Sequence, residues 1–237
     1  MRQLALLGGM TYGATSIYYN LINREIQRRL GGANSATLLL QSFNHAEMQD
    51  LFEAGQWTAV TKKFSTAAQN LKTAGAEGVM ICCNIGHKVA AEVERECGGL
   101  EVLHIVDPTG RLIRERGLRK VALIATRPVM EEAFFKERLR EKFGIEVVVP
   151  DEGAREAIHK MIFTELGANV FHDGQKRILK GAIEQTVREG AEGVIFACTE
   201  LQFVVKQEDV NVPLWDTMEG HARGAVEWML ADGRAGE

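Results

Sequence analysis

A nine-residue stretch that occurs twice decides the fold of this chain: GAEGVMICC at residues 75–83 and GAEGVIFAC at residues 190–198. Six of the nine positions are identical, and Cys83 and Cys198 end the two copies in register. Each copy opens with a glycine that closes a helical pattern and continues into a short apolar run, which is typical of a buried strand. The sequence therefore predicts two copies of one helix–strand unit.

The repeat extends to other parts of the chain. Residues 2–7 resemble residues 119–124, and residues 105–107 resemble residues 214–216, so the copies are offset by 117, 115 and 109 residues. Predicted strands alternate with helical patterns, for example Ser16–Leu30, Trp57–Thr73 and Lys176–Arg188. The predicted strands are Leu4–Leu7, Thr37–Gln41, Gly78–Cys82, Val102–Ile105, Lys120–Ala125, Ile145–Val149, Gly193–Ala197 and Val212–Trp215.

This alternation predicts an α/β fold with two pseudo-symmetric domains, each a short, mostly parallel sheet flanked by helices. We expect residues 1–115 to form the first domain and residues 116–216 the second. A final helix at 217–231 would pack back on the first domain. The tail Ala231–Glu237 is expected to be disordered.

Composition excludes several classes of protein. The 237 residues are 46% hydrophobic and 25% charged, with a formal net charge of −4, so a nucleic-acid surface is not expected. No apolar stretch reaches the length of a signal peptide core or a membrane span, which predicts a soluble, cytoplasmic protein without a membrane partner. The four cysteines have no CxxC spacing and predict free thiols.

Two of these cysteines suggest a specific chemistry. Cys83 and Cys198 each follow a predicted strand and precede a predicted helix, where the helix dipole is expected to lower a thiol pKa. Facing each other across a cleft, a thiolate and a thiol could remove a proton from one face of a carbon and return one to the other. We interpret Cys82 and Cys97 as small buried residues. A redox-active Cys82–Cys83 disulfide remains the alternative.

Three motifs carry a resemblance to a known family. Residues 7–11, Leu-Gly-Gly-Met-Thr, are similar to the start of aspartate and broad-specificity amino-acid racemases. Cys83 and Asn84, with His87, resemble the motif Cys-Asn-Thr-x-His, and residues 197–201 resemble Gly-Cys-Thr-Glu. Over nearly its whole length the chain resembles the aspartate/glutamate racemase superfamily.

The resemblance implies a racemase of α-amino acids that uses no pyridoxal phosphate, other cofactor or metal and takes a small-molecule amino acid as its partner. Cys83 and Cys198 would be its acid and base, and the protein would be a homodimer. The residues implied to bind substrate are Met10, Thr11, Asn84, Ile85 and Thr199, with Arg127 and Lys160 as candidates for a side-chain carboxylate and Glu200 as a helix-start residue or a supporting acid.

Two positions depart from the family motif. Ile85 stands where the family has Thr, and Gly86 follows it, which predicts a substrate less polar than aspartate. His87 is expected either to tune Cys83 or to be an ordinary helix residue. Asp107 and Asp216 are interpreted as helix caps. The remaining histidines show no metal-ligand spacing.

Other functions stay open on the sequence. Hydantoin racemase, arylmalonate decarboxylase and maleate isomerase belong to the same superfamily, and the retained cysteine pair disfavours the decarboxylase, which keeps one cysteine. A non-catalytic amino-acid-binding protein with the same two lobes would not need paired thiols.

Overall fold

A computed structural model describes residues 1–168 and 170–231 of the chain. Apart from Ala231, the tail predicted to be disordered lies outside the described residues. None of the helices in the described ranges combines the length and the apolar composition needed to cross a bilayer.

Eight described strands form two four-stranded sheets in which every neighbouring pair is parallel. The strands are β1 (Leu4–Gly8), β2 (Leu38–Ser42), β3 (Gly78–Ile81), β4 (Glu101–Val102), β5 (Lys120–Ala125), β6 (Glu146–Val148), β7 (Val194–Ala197) and β8 (Leu214–Asp216). The sheet orders are β2-β1-β3-β4 and β6-β5-β7-β8, which is the same order in each half. The predicted α/β class with two parallel sheets is confirmed.

Ten α-helices within the described ranges cover these sheets. They are α1 (Tyr12–Leu30), α2 (His45–Glu53), α3 (Trp57–Thr73), α4 (Ala90–Glu96), α5 (Val106–Glu115), α6 (Arg127–Glu131), α7 (Ala133–Phe143), α8 (Glu152–Thr164), α9 (Asp173–Arg188) and α10 (Thr217–Leu230). Short 3₁₀ helices lie at Ile85–Val89, Leu166–Ala168, Leu201–Phe203 and Gln207–Asp209. In α3 the buried side chains of Val60, Phe64, Ala67 and Ala68 recur with helical spacing, so one face of the helix packs on the sheet.

The central strands are buried along their length. Strands β1, β3 and β7 are buried at every residue, and β5 is buried at every residue after Lys120. Parallel strands covered on both faces are expected to be continuously apolar rather than alternating, and these four are. Their apolar runs are therefore the part of the sequence that positions the loops at their carboxyl ends.

The internal repeat has the same hydrogen bonds in both halves. The Glu77 N–H donates to the Gln3 carbonyl at 2.9 Å, and the Gln3 N–H donates to the Glu77 carboxylate at 2.9 Å. Glu192 and Lys120 make the equivalent bonds at 2.8 and 3.0 Å. The glycine that opens each copy has a φ of 103° or 95°, which explains why both copies begin with glycine.

The chain forms two compact units, Met1–Ile105 with Glu219–Glu237, and Val106–Met218. The ranges expected from the sequence, 1–115 with 217–231 and 116–216, differ from these units chiefly at helix α5. That helix packs within the second unit, where the Phe143 ring lies against Gly110. The domain ranges themselves stay a prediction.

The two aspartates interpreted as helix caps behave differently. Asp216 caps α10, since its Oδ1 accepts from the Met218 N–H at 2.7 Å. The cap predicted for Asp107 is wrong, because Asp107 lies inside α5 and accepts two bonds from Arg138, at 2.6 and 2.8 Å, and one from Lys142. These two cations lie one turn apart on α7 and hold the carboxylate against that helix.

Candidate active-site cysteines

The first candidate site lies where β1 and β3 end in the first unit. In the order β2-β1-β3-β4 the chain adds β2 on one side of β1 and β3 on the other, and α/β sheets bind ligands at the carboxyl ends of strands beside such a switch point. Met10 follows β1 and Cys83 follows β3. The Cys83 thiol donates to the Met10 sulfur across 3.6 Å, so the structure brings these two predicted site residues together.

Burial dominates the environment of Cys83. It raises the pKa of the Cys83 thiol to about 12, although the Gly86 backbone N–H donates toward the sulfur and acts in the opposite direction. In the sequence, Gly86 is recognisable only as a departure from the motif Cys-Asn-Thr-x-His. A Cβ at Gly86 would lie 2.9 Å from the Cys83 sulfur and 2.8 Å from Ile81 Cγ2, so glycine lets this backbone approach the thiol. The signal in the sequence is a glycine three residues after the cysteine.

The loop that carries Met10 is held by two threonines. Thr11 caps α1, with Oγ1 accepting from the Ala14 N–H at 3.2 Å. The Thr15 hydroxyl accepts from the Gly9 N–H at 2.8 Å and donates to the Thr11 carbonyl at 2.9 Å. Because of this cap, α1 begins at Tyr12, ahead of the predicted start at Ser16.

Asn84 and Ile85 follow Cys83 directly. Asn84 is 6% exposed, and its Oδ1 is buried without a hydrogen-bond partner among the described residues. An unsatisfied buried amide oxygen costs free energy that a bound donor would recover. Ile85 opens the 3₁₀ helix Ile85–Val89 and is half-buried, so an apolar side chain stands next to the polar amide.

The second candidate site follows β7 in the second unit. The Cys198 thiol donates to Glu200 Oε2 at 3.1 Å, and the Thr199 hydroxyl donates to the same oxygen at 2.6 Å. Burial raises the pKa of the Cys198 thiol well above its ordinary range, and the Glu200 carboxylate raises it further. Glu200 therefore lies against the cysteine sulfur.

The expected lowering of the two thiol pKa values is wrong. The helices that follow the cysteines are 3₁₀ segments of five and three residues, which offer little dipole to oppose desolvation. Taking a thiolate out of water disfavours it, and this effect is larger at both sites.

Comparison with known proteins assigns the chain. Residues 7–225 match the Asp/Glu/hydantoin racemase family. The chain belongs to this family. Both cysteine loops lie inside the matched region.

Three relatives illustrate how close the racemase-family likeness is. The structure of a candidate Asp/Glu racemase from Yersinia pestis is 39% identical, with a TM-score of 0.92 over 97% of this chain and 100% of that one. The structure of an aspartate racemase homologue from Pyrococcus horikoshii is 33% identical, with a TM-score of 0.82 over 97% and 99% of the two chains. The broad-specificity amino-acid racemase RacX of Bacillus subtilis is 24% identical over 170 residues, which is 72% of each chain.

The two cations considered for a substrate carboxylate have other surroundings in this racemase-family chain. The Arg127 guanidinium donates to Glu131 at 2.8 Å and to Glu156 at 2.7 Å, so two carboxylates of its own unit already bind it. Lys160 is exposed on α8. The side-chain hydrogen bonds of Arg127 in the described residues therefore lead to Glu131 and Glu156 rather than to Cys198, and the sequence pattern did not predict these two partners.

The other two cysteines are buried thiols. Cys82 and Cys97 are each 1% exposed, and all four cysteines are free in the structure. The Cys97 thiol donates to the Glu94 and Leu100 carbonyls at 3.4 and 3.5 Å, which explains its place at the end of α4. In the described ranges no group of three or more His, Cys, Asp or Glu side chains could hold a metal ion.

Histidines that are far apart in the sequence meet behind Cys83. The ring centroids of His87 and His104 are 4.7 Å apart, and those of His87 and His221 are 5.5 Å apart. His221 comes from α10, so this group could not be found from spacing along the chain. Along the sequence, His104 and His221 are two of the histidines that show no metal-ligand spacing.

Proposed function

We propose that this protein is a cofactor-independent racemase of α-amino acids, with Cys83 and Cys198 as the acid and base at Cα. The observation that carries the proposal is the equivalent position of the two thiols. Each follows the third strand of its own four-stranded sheet, at the end of the repeated segment. Membership of the racemase family supports the same chemistry.

The two thiols are proposed to start in different protonation states. A backbone N–H donates toward each sulfur and favours a thiolate, from Gly86 at Cys83 and from Glu200 at Cys198, but Cys198 also lies against the Glu200 carboxylate, which disfavours a thiolate. The thiolate therefore forms first at Cys83. Cys83 takes the α-proton from one face of the substrate, and Cys198 gives its proton to the other face.

This turnover leaves Cys83 protonated and Cys198 as the thiolate. For the opposite enantiomer the roles reverse, with Cys198 as the base. Glu200 Oε2 accepts the Cys198 S–H and so favours the protonated form of this thiol. Thr199 donates to the same oxygen and fixes its orientation. We propose that Glu200 holds Cys198 as the thiol in the resting protein, ready to act as the acid.

Substrate recognition is proposed to centre on Asn84. Its buried Oδ1 can accept a hydrogen bond from the α-ammonium group of an amino acid. Met10, against the Cys83 sulfur, and Ile85, next to Asn84 in the chain, would present apolar surface to the rest of the substrate. Because Arg127 is already bound by Glu131 and Glu156, we propose a neutral amino acid rather than aspartate or glutamate.

The test is a panel of neutral amino acids, aspartate and glutamate, each as both enantiomers, incubated in heavy water. Loss of the Cα proton is followed by NMR, and racemisation by chiral chromatography. We expect racemisation of some neutral amino acid at a higher kcat/KM than of aspartate. Proton loss with no member of the panel would contradict the proposed reaction.

The cysteine assignment is tested by Cys83→Ala and Cys198→Ala. Each substitution should lower the rate of racemisation by a factor on the order of 10²–10⁴ or more, because a general acid or base is lost. Each variant should still exchange the Cα proton of the one enantiomer that its remaining thiol can reach. Cys97→Ala is the matched control, since that thiol only binds two carbonyls at the end of α4. An active Cys83→Ala beside an inactive Cys82→Ala would show that the neighbouring cysteine is the catalytic one.

A homodimer and a cytoplasmic location stay predictions. Light scattering coupled to gel filtration should give the mass of two chains, and fractionation of the source cells would test the location. A monomer at micromolar concentration would contradict the first.

A further inference from the structure

Four buried polar side chains form one group in the first unit, which we call the histidine cluster: Tyr18, His87, His104 and His221. Their exposed fractions are 0%, 3%, 9% and 1%. They come from α1, from the 3₁₀ helix after Cys83, from the segment after β4, and from α10. Polar groups are buried in this way when their hydrogen bonds fix a geometry.

The cluster is bonded directly to the backbone of Cys83. His87 Nδ1 lies 2.9 Å from the Cys83 carbonyl oxygen. A carbonyl oxygen can only accept, so Nδ1 of His87 carries the hydrogen and donates it. This bond joins residues four apart across the turn that carries Asn84 and Ile85.

His221 is held by two bonds of its own. Its Nε2 lies 2.7 Å from the Leu103 carbonyl oxygen and therefore donates, and its Nδ1 lies 3.1 Å from the Tyr18 hydroxyl. In the neutral ring, Nδ1 accepts from Tyr18. The ring planes of His221 and His87 meet at an angle of 70°, in an edge-to-face contact. The His104 ring also contacts the His87 ring. The orientation of the His87 ring is thus set by neighbours from two other elements, the segment after β4 and helix α10.

We propose that His87 is a positioning residue for Cys83, with His221 and Tyr18 as its support. The inference rests on the proposed function, because it gives His87 a role only if Cys83 reacts. By holding the Cys83 carbonyl, His87 fixes the turn in which the Gly86 N–H points at the sulfur. Helix α10, through His221, is then part of the first candidate site.

Two substitutions at His87 separate a positioning role from a packing role. His87→Leu removes the donor, whereas His87→Asn keeps an N–H close to the place of Nδ1. The chain itself shows that asparagine can do this, since Asn20 and Asn23 donate to the carbonyls of Ser16 and Tyr19, four residues earlier, at 2.9 and 2.8 Å. His45→Leu is the control, because His45 is exposed at the start of α2.

We expect His87→Leu to lower kcat for the amino acid that the panel identifies by roughly tenfold, the size of one ordinary hydrogen bond, with KM little changed. His87→Asn should recover most of that loss, and His45→Leu should match the wild type. Equal losses in the Leu and Asn variants, or an unchanged kcat in the Leu variant, would overturn the proposal.

A second measurement does not depend on racemisation. The rate at which iodoacetamide alkylates Cys83, located by mass spectrometry, reports the geometry and ionisation of that thiol. We expect this rate to change severalfold in His87→Leu and to return toward the wild-type rate in His87→Asn. If the wild type exchanges no Cα proton, the proposed function fails, while this alkylation series still decides the role of His87.

Tyr18→Phe covers the case in which His87→Leu does not fold. It keeps every ring of the cluster and removes only the hydroxyl that donates to His221. We expect the alkylation rate of Cys83 to shift in the same direction as in His87→Leu, by a smaller factor. An unchanged alkylation rate and kcat in a folded Tyr18→Phe protein would overturn the supporting role of Tyr18 and His221.

Discussion

At the scale of single residues, desolvation and hydrogen bonding compete over the two sulfur atoms. The Gly86 N–H acts to lower the pKa of Cys83, yet burial wins and raises it to about 12. At Cys198 burial and the Glu200 carboxylate act in the same direction, and both raise the thiol pKa. A backbone N–H donates toward each sulfur, from Gly86 at Cys83 and from Glu200 at Cys198, so the difference between the two sites is the carboxylate beside Cys198.

Gly86 offers a direct test of how closely the backbone must approach Cys83. In Gly86→Ala the new Cβ would lie 2.9 Å from the sulfur and 3.1 Å from the Phe64 ring, so the turn has to move. Overpacking of this kind lowers the free energy of unfolding by about 1–3 kcal/mol. We also expect kcat to fall, by more than the loss of folded protein would explain. Urea unfolding and the heavy-water assay measure the two effects.

Gly181→Ala is the matched control for this substitution. Gly181 lies inside α9, and a Cβ there would meet nothing within 4 Å. Alanine in an open helical position is expected to stabilise the fold by about 0.5–1 kcal/mol and to leave kcat unchanged. If kcat were unchanged in Gly86→Ala as in Gly181→Ala, the close approach of the Gly86 backbone to the Cys83 sulfur would not contribute to catalysis.

At the scale of helices and strands, the sequence predicted what local patterns determine. Strand β5 and helix α3 have the predicted bounds, because their apolar periodicity and closing glycines are local signals. Both cysteines also lie at the predicted strand ends. The sign of their pKa shifts could not be predicted, because burial depends on the packing of the whole unit. The histidine cluster was out of reach for a similar reason, since His87 and His221 are joined only through tertiary structure.

The packing of α5 on α7 gives a prediction at the same scale. Asp107 is bound by Arg138 and Lys142; its burial acts to raise the carboxyl pKa, but these two cations outweigh it and the pKa is lowered. A lowered folded-state pKa adds stability above the unfolded value of about 4, and this stability is lost as the pH falls below it. We expect Asp107→Asn to lower the free energy of unfolding at neutral pH by about 1–2 kcal/mol.

Urea unfolding at neutral and at acidic pH measures this effect, and the difference between variant and wild type should shrink in acid. Arg140→Ala is the control on the same helix. Its ion pairs are exposed and 3.6–3.9 Å long, so a change of no more than about 0.5 kcal/mol is expected. A cost for Asp107→Asn no larger than this would mean that α5 is held by apolar packing alone.

At the scale of the whole molecule, the chain repeats one sheet order and one helix–strand junction, and the two copies differ in their cysteine environments. The Glu77–Gln3 and Glu192–Lys120 bonds are equivalent in the two units. Repetition supplies two thiols at equivalent strand ends. The divergence of their neighbours places a carboxylate beside Cys198 but an apolar Met10 sulfur beside Cys83, which suits the proposed reaction with one base and one acid.

The pH dependence of kcat/KM tests this view of the whole protein. In the proposed mechanism the free protein carries one thiolate and one thiol, and Cys83, the proposed first base, has a pKa raised to about 12. Below that value the thiolate fraction rises about tenfold per pH unit, so kcat/KM should rise steadily between about pH 6.5 and 8.5, where the substrate stays an ammonium ion. Glu200→Gln removes a negative charge beside Cys198 and should lower the pKa of that thiol, while leaving Cys83 the same surroundings. We therefore expect the variant to lose the preference for Cys83 as the first base. The ratio of the initial rates of Cα proton exchange for the two enantiomers should then differ from the wild-type ratio. A wild-type kcat/KM that is already level below about pH 8 would mean that a thiolate is present at neutral pH, and that burial does not control these cysteines in the working enzyme.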